Sequence, residues 1–368
     1  MTADIKGFVR GLSLKQIVFT LIFFLSLISY LLLTLWINGK VGDLADQQAA
    51  LRWDAQGGSA QVSCFLADGV EMDEFKIRNF QQQLEQSLLE VDSELREKLE
   101  QNKRLFISSW SSTGRVTVVS EKGNVEANAV GISGDFFQFH PLQLVSGSYF
   151  SGDNLMKDSV ILDEEAAWQL FGSSNIAGKS VMIGGIPHYV CGVVKRQKDR
   201  FAEGAGLSSA SAFVYLSNES LLAYGESRGV SVYELVAPNP VKGFVTGCVK
   251  EKLGVAEEEM VVVENSSRYS AEALIPVILS FGTRSMQNYA VRFPYWENIG
   301  RGWEDLAALA MMFRFLFLLI PTVIFVVFLI IKWRNRSFTF QDVKNLAVDT
   351  KDKVMRRIRG EKNRWEHF

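Results

Sequence analysis

The chain has 368 residues, 48 % of them hydrophobic and 22 % charged, with a formal net charge of −2, enough for one or two domains with a sizeable core. Three cysteines (Cys64, Cys191, Cys248) and three histidines (His140, His188, His367) are scattered, with no CxxC pair and no HExxH, so neither a disulfide framework nor a zinc site is expected. No G-x-S-x-G elbow and no phosphate-binding G-x-x-x-x-G-K-[ST] is present: Gly178-Lys179-Ser180 has Ser173 where that motif needs its first glycine.

The chain opens with a polar stretch, Asp4–Gln16, that places Ile5, Phe8, Val9 and Leu12 on one helical face; residues 1–16 are expected to lie along a membrane surface. Ile17–Ile37 follows, 21 residues without a charge, long enough as a helix to cross roughly 31 Å of hydrocarbon. A cleaved signal peptide is the alternative, but its apolar region is usually only about 7–15 residues and ends at an A-x-A site, which does not follow directly here.

Ala60–Leu66 is a predicted strand. Asp73–Gln101 has helical spacing, with Phe75, Phe80, Leu84, Leu88, Val91, Leu95 and Leu99 as its apolar stripe. A strand around Leu105–Trp110 closes a β-α-β unit. Glu94 and Lys98 are spaced as an exposed helical ion pair. Val116–Val119 and Val125–Val130 form an expected hairpin around Lys122-Gly123-Asn124.

The most informative stretch is 131–194. Ser159–Leu162 is a β-branched strand. Asp163 is placed to cap a helix over Glu164–Leu170, and the acidic run Asp163-Glu164-Glu165 suits a helix N-terminus. Lys179–Ile183 and His188–Val194 read as a hairpin about Gly184-Gly185. Gly147, Gly152, Gly172 and Gly178 punctuate it as turns. Cys191 is expected to be a small buried hydrophobe. Gln197–Ser211 reads as a mobile loop and Ala212–Leu216 as a strand. A second β-α-β unit then follows: Val232–Val236, Val241–Leu253 and Met260–Glu264. Leu274–Phe281 and Tyr289–Tyr295 lead back toward the membrane, and Asn298–Asp305 reads as a turn.

The second span is 306–331, most apolar over Phe315–Ile331. Pro321 is expected to kink it. Arg314 reads either as a snorkelling anchor or as a polar contact, with Pro321, to the helix of a neighbouring subunit. The tail 332–368 places Val343, Leu346, Ala347, Val354 and Ile358 at helical spacing for a membrane surface or a partner protein. Residues 1–16 carry a net +2, and 332–368 a net +6 from 11 basic and 5 acidic residues. Residues 38–313 carry a net −11, from 24 basic and 35 acidic residues. Both ends are therefore expected in the cytoplasm and the acidic middle outside. Basic runs that only flank apolar spans exclude a nucleic-acid role. The sequons at Asn218 and Asn265 would matter only in a eukaryotic secretory pathway.

Gly131–Phe137 (GISGDFF), Leu142–Phe150, Val160–Gly172 (VILDEEAAWQLFG) and Gly178–Val193 match, in order and spacing, the phrases of the MacB/FtsX-type ABC permease periplasmic domain. The chain resembles that family over about 65 residues of its own 368, and more loosely over the rest of the ectodomain. The resemblance implies an α+β extracytoplasmic domain between two transmembrane helices. Residues 38–115 and 225–290 would be porter-like, with 116–224 as an inserted β-rich subdomain, all within 38–305. It also implies a mechanotransmitter: a separate ABC ATPase moves the helices, and the helices move the ectodomain. Substrates in the family include peptides, antibiotics and lipoproteins, and its FtsX relatives control cell-wall hydrolases. No cofactor or catalytic residue is implied. Family permeases carry four helices, one before the ectodomain and three after, whereas this sequence shows one on each side. The expected partners are thus an ATPase with a permease or a second copy, with the tail from Lys332 as a possible ATPase contact, or the chain is an accessory subunit. A membrane-anchored receptor or adaptor that transports nothing is the alternative.

Overall fold

The computed structural model describes residues 13–92, 94–101, 103–207, 212–284 and 291–334. The amphipathic face expected before residue 13 and the tail after 334 lie outside them, as do the side chains of Glu94 and Lys98. The chain divides into two compact units, one from residues 1–35 with 312–368 and the other 36–311.

In the first unit lie most of the helix α1 (Leu14–Gly42) and the later part of a long helix, Tyr295–Arg334. Both are long and apolar enough to cross a membrane, and 6 % of each apolar window is buried. A core helix would hide such a face, so these surfaces suit lipid. The long helix runs through Pro321 without a break.

The second unit is a mixed α/β domain on one ten-stranded sheet in the order β10-β1-β9-β2-β3-β8-β5-β7-β4, with β6 bridging β2 and β7. The expected β-α-β units are both present. β1 (Ser59–Leu66) leads to the helices α3 (Glu74–Val91) and α4 (Glu94–Glu100), then to β2 (Ile107–Ser120), with the short helix α2 (Ala49–Trp53) before them. β9 (Glu226–Pro238) leads through α9 (Phe244–Lys252) to β10 (Met260–Glu264). The units interleave: β1 lies antiparallel between β9 and β10, and β9 separates β1 from β2. This is a split β-α-β arrangement. Its core packs Ile77, Phe80, Leu84 and Leu88 of α3 with Val245 and Val249 of α9 on the sheet.

Asp73 caps α3 by accepting a hydrogen bond from the backbone N–H of Lys76 at 2.7 Å. The helix expected over 73–101 is not continuous: Asp92 adopts an extended backbone and ends α3. Phe75, counted in the apolar stripe, is 78 % exposed; the buried positions follow from Ile77 instead.

The strands expected at Leu105–Trp110 and Val116–Val119 are parts of the one strand β2, which pairs with β3 (Gly123–Gly134) along its length. β2, β3 and β9 thus run from the part of the sheet expected to be porter-like into the region of the expected insertion. There β4 (Gln143–Gly147), β5 (Ser159–Asp163), β6 (Ser180–Ile183), β7 (Ile186–Lys195) and β8 (Ala212–Ser217) complete the sheet. β3 with β8 and β5 with β7 are parallel. The helix α6 (Glu164–Phe171) covers them, following the short helix α5 (Phe136–Phe139).

Local chemistry sets these boundaries. Asp163 accepts from the N–H of Ala166 at 2.8 Å to start α6, and Gly172 ends it in the left-handed conformation at φ +68°. Gly184 and Gly185, at φ +60° and +80°, make the β6–β7 turn. Cys191 is partly exposed rather than buried, whereas Cys64 and Cys248 are buried. The expected loop 197–211 contains the helix α7 (Arg200–Gly204), started by Asp199 accepting from Phe201 and Ala202; residues 208–211 are outside the described set. The helix α8 (Asn218–Tyr224) follows β8.

After β10 come the short helices α10 (Ala271–Leu279) and α11 (Phe281–Arg284), then α12 (Tyr295–Arg334). The turn expected at Asn298–Asp305 is instead the first part of α12. Two glycines in eight residues argue against a helix interior. Close packing explains both: a Cβ on Gly300 would lie 2.9 Å from Nη1 of Arg268, and one on Gly302 would lie 2.4 Å from the ring of Phe201.

Candidate functional site

The chemically distinctive feature of the domain is a buried chain of polar side chains in residues 36–311. It begins at Asp46, on a one-turn helix over Ala45–Gln47 that follows α1. Gln61 of β1 holds that turn, donating to the Asp46 carbonyl at 2.6 Å and accepting from the N–H of Ala49 at 2.8 Å. His140, at the end of α5, lies with Nδ1 3.0 Å from Asp46 and Nε2 2.5 Å from Glu234 of β9. A neutral imidazole has one N–H and one lone pair, so two carboxylates facing both nitrogens select the doubly protonated cation. Burial pulls the His140 pKa down, but the charge of Glu234 and the hydrogen bonds to Asp46 and Glu234 outweigh it and raise the pKa to about 9. Phe136 and Trp296 pack their rings against the imidazole, with centroids at 4.7 and 4.5 Å.

Strand pairing carries the chain across the sheet. Ser63 of β1 stands opposite Glu234 in the β1–β9 register, and its hydroxyl donates to Glu234 at 2.8 Å. Asn265, just after β10, donates to the Ser63 hydroxyl at 2.8 Å. The Asn265 side-chain oxygen accepts from Arg268 at 3.4 Å.

Arg268 is the second node. Its guanidinium donates two bonds of 2.7 Å to the two oxygens of Glu297 in α12, and one of 3.2 Å to Glu304. It also reaches Gln47 at 3.4 Å, beside Asp46. Burial opposes its charge, but Glu297 more than compensates and holds the guanidinium protonated. For Glu297, burial is the largest influence and raises its pKa against the pull of Arg268. Arg284 of α11 pairs with Glu304 and, at 3.2 Å, with Asp305.

An unbroken polar path therefore runs Asp46–His140–Glu234–Ser63–Asn265–Arg268–Glu297 and on to Glu304 and Arg284. It links the turn after α1, two strands of the sheet, the turn after β10 and the start of α12. Such a densely paired network holds its members in one geometry, because leaving one of them unpaired and buried is costly. It contains no activated nucleophile, and among the described residues no group of three or more His, Cys, Asp or Glu is arranged to hold a metal ion.

The two residues singled out from sequence lie elsewhere. Arg314 in α12 places its guanidinium over the ring of Tyr30 in α1, 5.7 Å from the centroid, a cation–π geometry. Pro321 is buried seven residues on. The ion network was not foreseen. The one local signal for it is Glu234, a carboxylate inside the apolar strand run Val232–Ala237, where an unpaired charge would not be tolerated.

An open groove of about 710 Å³ lies elsewhere on the domain, lined by Arg78 and Gln81 of α3 together with Arg104, Asp135, Leu155 and Lys157.

The family model for the MacB-like periplasmic core domain matches residues 70–242. The macrolide export ATP-binding/permease protein MacB of Chromobacterium violaceum is 30 % identical over 107 residues, which is 28 % of this chain and 16 % of that protein. The probable syringafactin export ATP-binding/permease protein SyfD of Pseudomonas syringae pv. tomato is 33 % identical over 112 residues, 29 % of this chain and 17 % of that one. The chain thus spans less than a fifth of these relatives' length. Among solved structures, the periplasmic region of MacB from Actinobacillus actinomycetemcomitans is 18 % identical with a TM-score of 0.38, covering 58 % of this chain and 93 % of that one. The extracellular domain of the ABC-type transporter YknZ is 15 % identical with a TM-score of 0.35, covering 55 % and 99 %. Residues 70–242 of this chain thus match the family of MacB-like periplasmic core domains, and two of its helices are long and apolar enough to cross a membrane.

Proposed function

We propose that the chain is a membrane subunit of a MacB/FtsX-type ABC system, which couples a separate cytoplasmic ATPase or full permease to an extracytoplasmic substrate or partner. In this reading the chain performs no reaction. Both termini are cytoplasmic and the domain faces outward, as the basic ends and acidic middle favour. Regions 38–115 and 225–290 act as the porter-like part around the insertion 116–224.

The observation that supports this most is the polar path from Asp46 to Glu304. A displacement of α1 or of α12 reaches the sheet through side chains with little slack, because most are buried and each is hydrogen-bonded to the next. The relatives are named as ATP-binding/permease proteins for export, which fits such a role. Arg314 and Pro321 are proposed as the place where a partner's helix is met.

Affinity purification of the full-length chain from native membranes tests this. An ABC ATPase is expected among the captured proteins. Its consistent absence would favour the second reading, a membrane-anchored adaptor, for which the groove beside α3 offers a binding surface.

A further inference from the structure

The strap α10–α11, between β10 and α12, leaves an apolar face uncovered. Leu274 and Val277 point into the domain, while Ile275 is 51 % and Leu279 82 % exposed, with Phe281 also exposed beyond them. Ile275, Pro276 and Leu279 fall on one side of the helix, at the three- and four-residue spacing of a single face. A soluble surface normally covers or dilutes such a patch.

The strap is tied down at both ends, and both ties are to residues that border the expected spans. Before it, Tyr269 donates to the carbonyl of Gly300 in α12 at 3.1 Å. Ser270, the N-cap of α10, lines a cavity of about 410 Å³ together with Tyr269 and with Val41, at the end of α1. At its far end, Arg284 pairs with Glu304 and Asp305, one turn before Leu309, the first exposed large apolar residue of α12. The uncovered face is therefore held beside the root of α12, with its charged anchors on α12 and its apolar side chains free.

We propose that α10 and α11 form a lipid-binding strap, with Ile275, Leu279 and Phe281 seated in the interfacial layer of the bilayer leaflet next to the ectodomain. The occupant is lipid rather than protein, because Glu304 and Asp305, which hold the strap, are followed in the same helix from Leu309 on by exposed large apolar side chains with the length and hydropathy of a membrane span. An interfacial helix has this character: short, apolar on one face, and polar where it meets water or a partner, here Glu272, Thr283 and Arg284. The strap would set the height of the domain above the membrane. The inference rests on the two helices crossing a bilayer, and not on any ATPase.

Spin labelling of the full-length chain in nanodiscs of phosphatidylethanolamine and phosphatidylglycerol tests it. The partly exposed Cys191 is replaced by serine, Cys64 and Cys248 being buried. Single labels are introduced by Leu279→Cys and, independently, Ile275→Cys. Leu319→Cys, within the span, serves as the lipid reference, and Leu155→Cys, 97 % exposed, as the water reference. The expected result is that labels at both strap positions are more accessible to oxygen than to a water-soluble nickel chelate, as at Leu319. A chelate-accessible label, as at Leu155, would overturn the proposal. So would a label closed to both reagents, which would mean that protein covers the patch. If Leu319 itself were chelate-accessible, the membrane reading would fall, and the strap with it.

Discussion

Arg268 and Glu297 face each other through two parallel hydrogen bonds of 2.7 Å, with both side chains 2 % exposed. Arg268 follows the last strand of the sheet and Glu297 lies in the first turn of α12, so this pair is where sheet and helix are joined. A bidentate pair is directional as well as strong. It resists sliding and rotation of α12 in a way that an apolar contact would not.

Removing one partner should therefore cost more than removing both. Arg268→Met or Glu297→Gln is expected to destabilise the domain by about 3 kcal/mol or more, because a charge is left buried and unpaired. The double variant R268M/E297L should recover part of that loss. Thermal unfolding of the detergent-solubilised full chain measures all three, and equal losses in singles and double would contradict the assignment.

His140 predicts a dependence on alkaline pH. Its folded pKa of about 9 lies above the ordinary histidine value of 6.5. A raised pKa means that the stabilisation is complete below about 6.5 and is lost as pH rises through 9. The shift corresponds to about 3 kcal/mol. The unfolding midpoint should fall between pH 7 and 10 for the natural chain, and His140→Gln should be less stable at pH 7 and flatter across that window. Parallel pH profiles for the two chains would remove His140 from the network.

Gly147 sits at φ +77°, and a Cβ there would lie 2.0 Å from the carbonyl oxygen of Cys191. Gly147→Ala should separate β4 from β7 and lower stability by about 2 kcal/mol, combining strain with a clash against backbone that has no room to yield. A neutral result in chemical unfolding would mean that the strand edge moves freely.

Arg314 lies over Tyr30 of α1, and a partner's helix is proposed to meet it. Arg314→Leu should leave the unfolding of the domain unchanged and reduce the yield of co-purified membrane partner by several-fold. An unchanged yield would leave Arg314 as an anchor only.

Much of this architecture could be read before any coordinates. Short apolar runs gave β1, β5, β9 and β10, and Asp163, Gly172 and Gly184-Gly185 marked turns by backbone chemistry that depends on few neighbours. Elements that depend on distant neighbours were misread. The start of α12 looked like a turn because Gly300 and Gly302 break helical propensity, and their reason is the space needed by Arg268 and Phe201. The ion network was invisible because its members, from Asp46 to Glu304, are single polar residues far apart in sequence. Only the sheet order, with Ser63 opposite Glu234, brings them into line.

The central claim is that force or displacement passes between the roots of the two long helices and the sheet through this network. Hydrogen–deuterium exchange on the co-purified native assembly, with and without ATP, addresses it at the residues concerned. Backbone exchange over 43–49, 263–270 and 295–305 is expected to change on ATP addition and to lose that response in Glu297→Gln. Identical exchange in those three segments with and without ATP, in an assembly that hydrolyses it, would contradict the account.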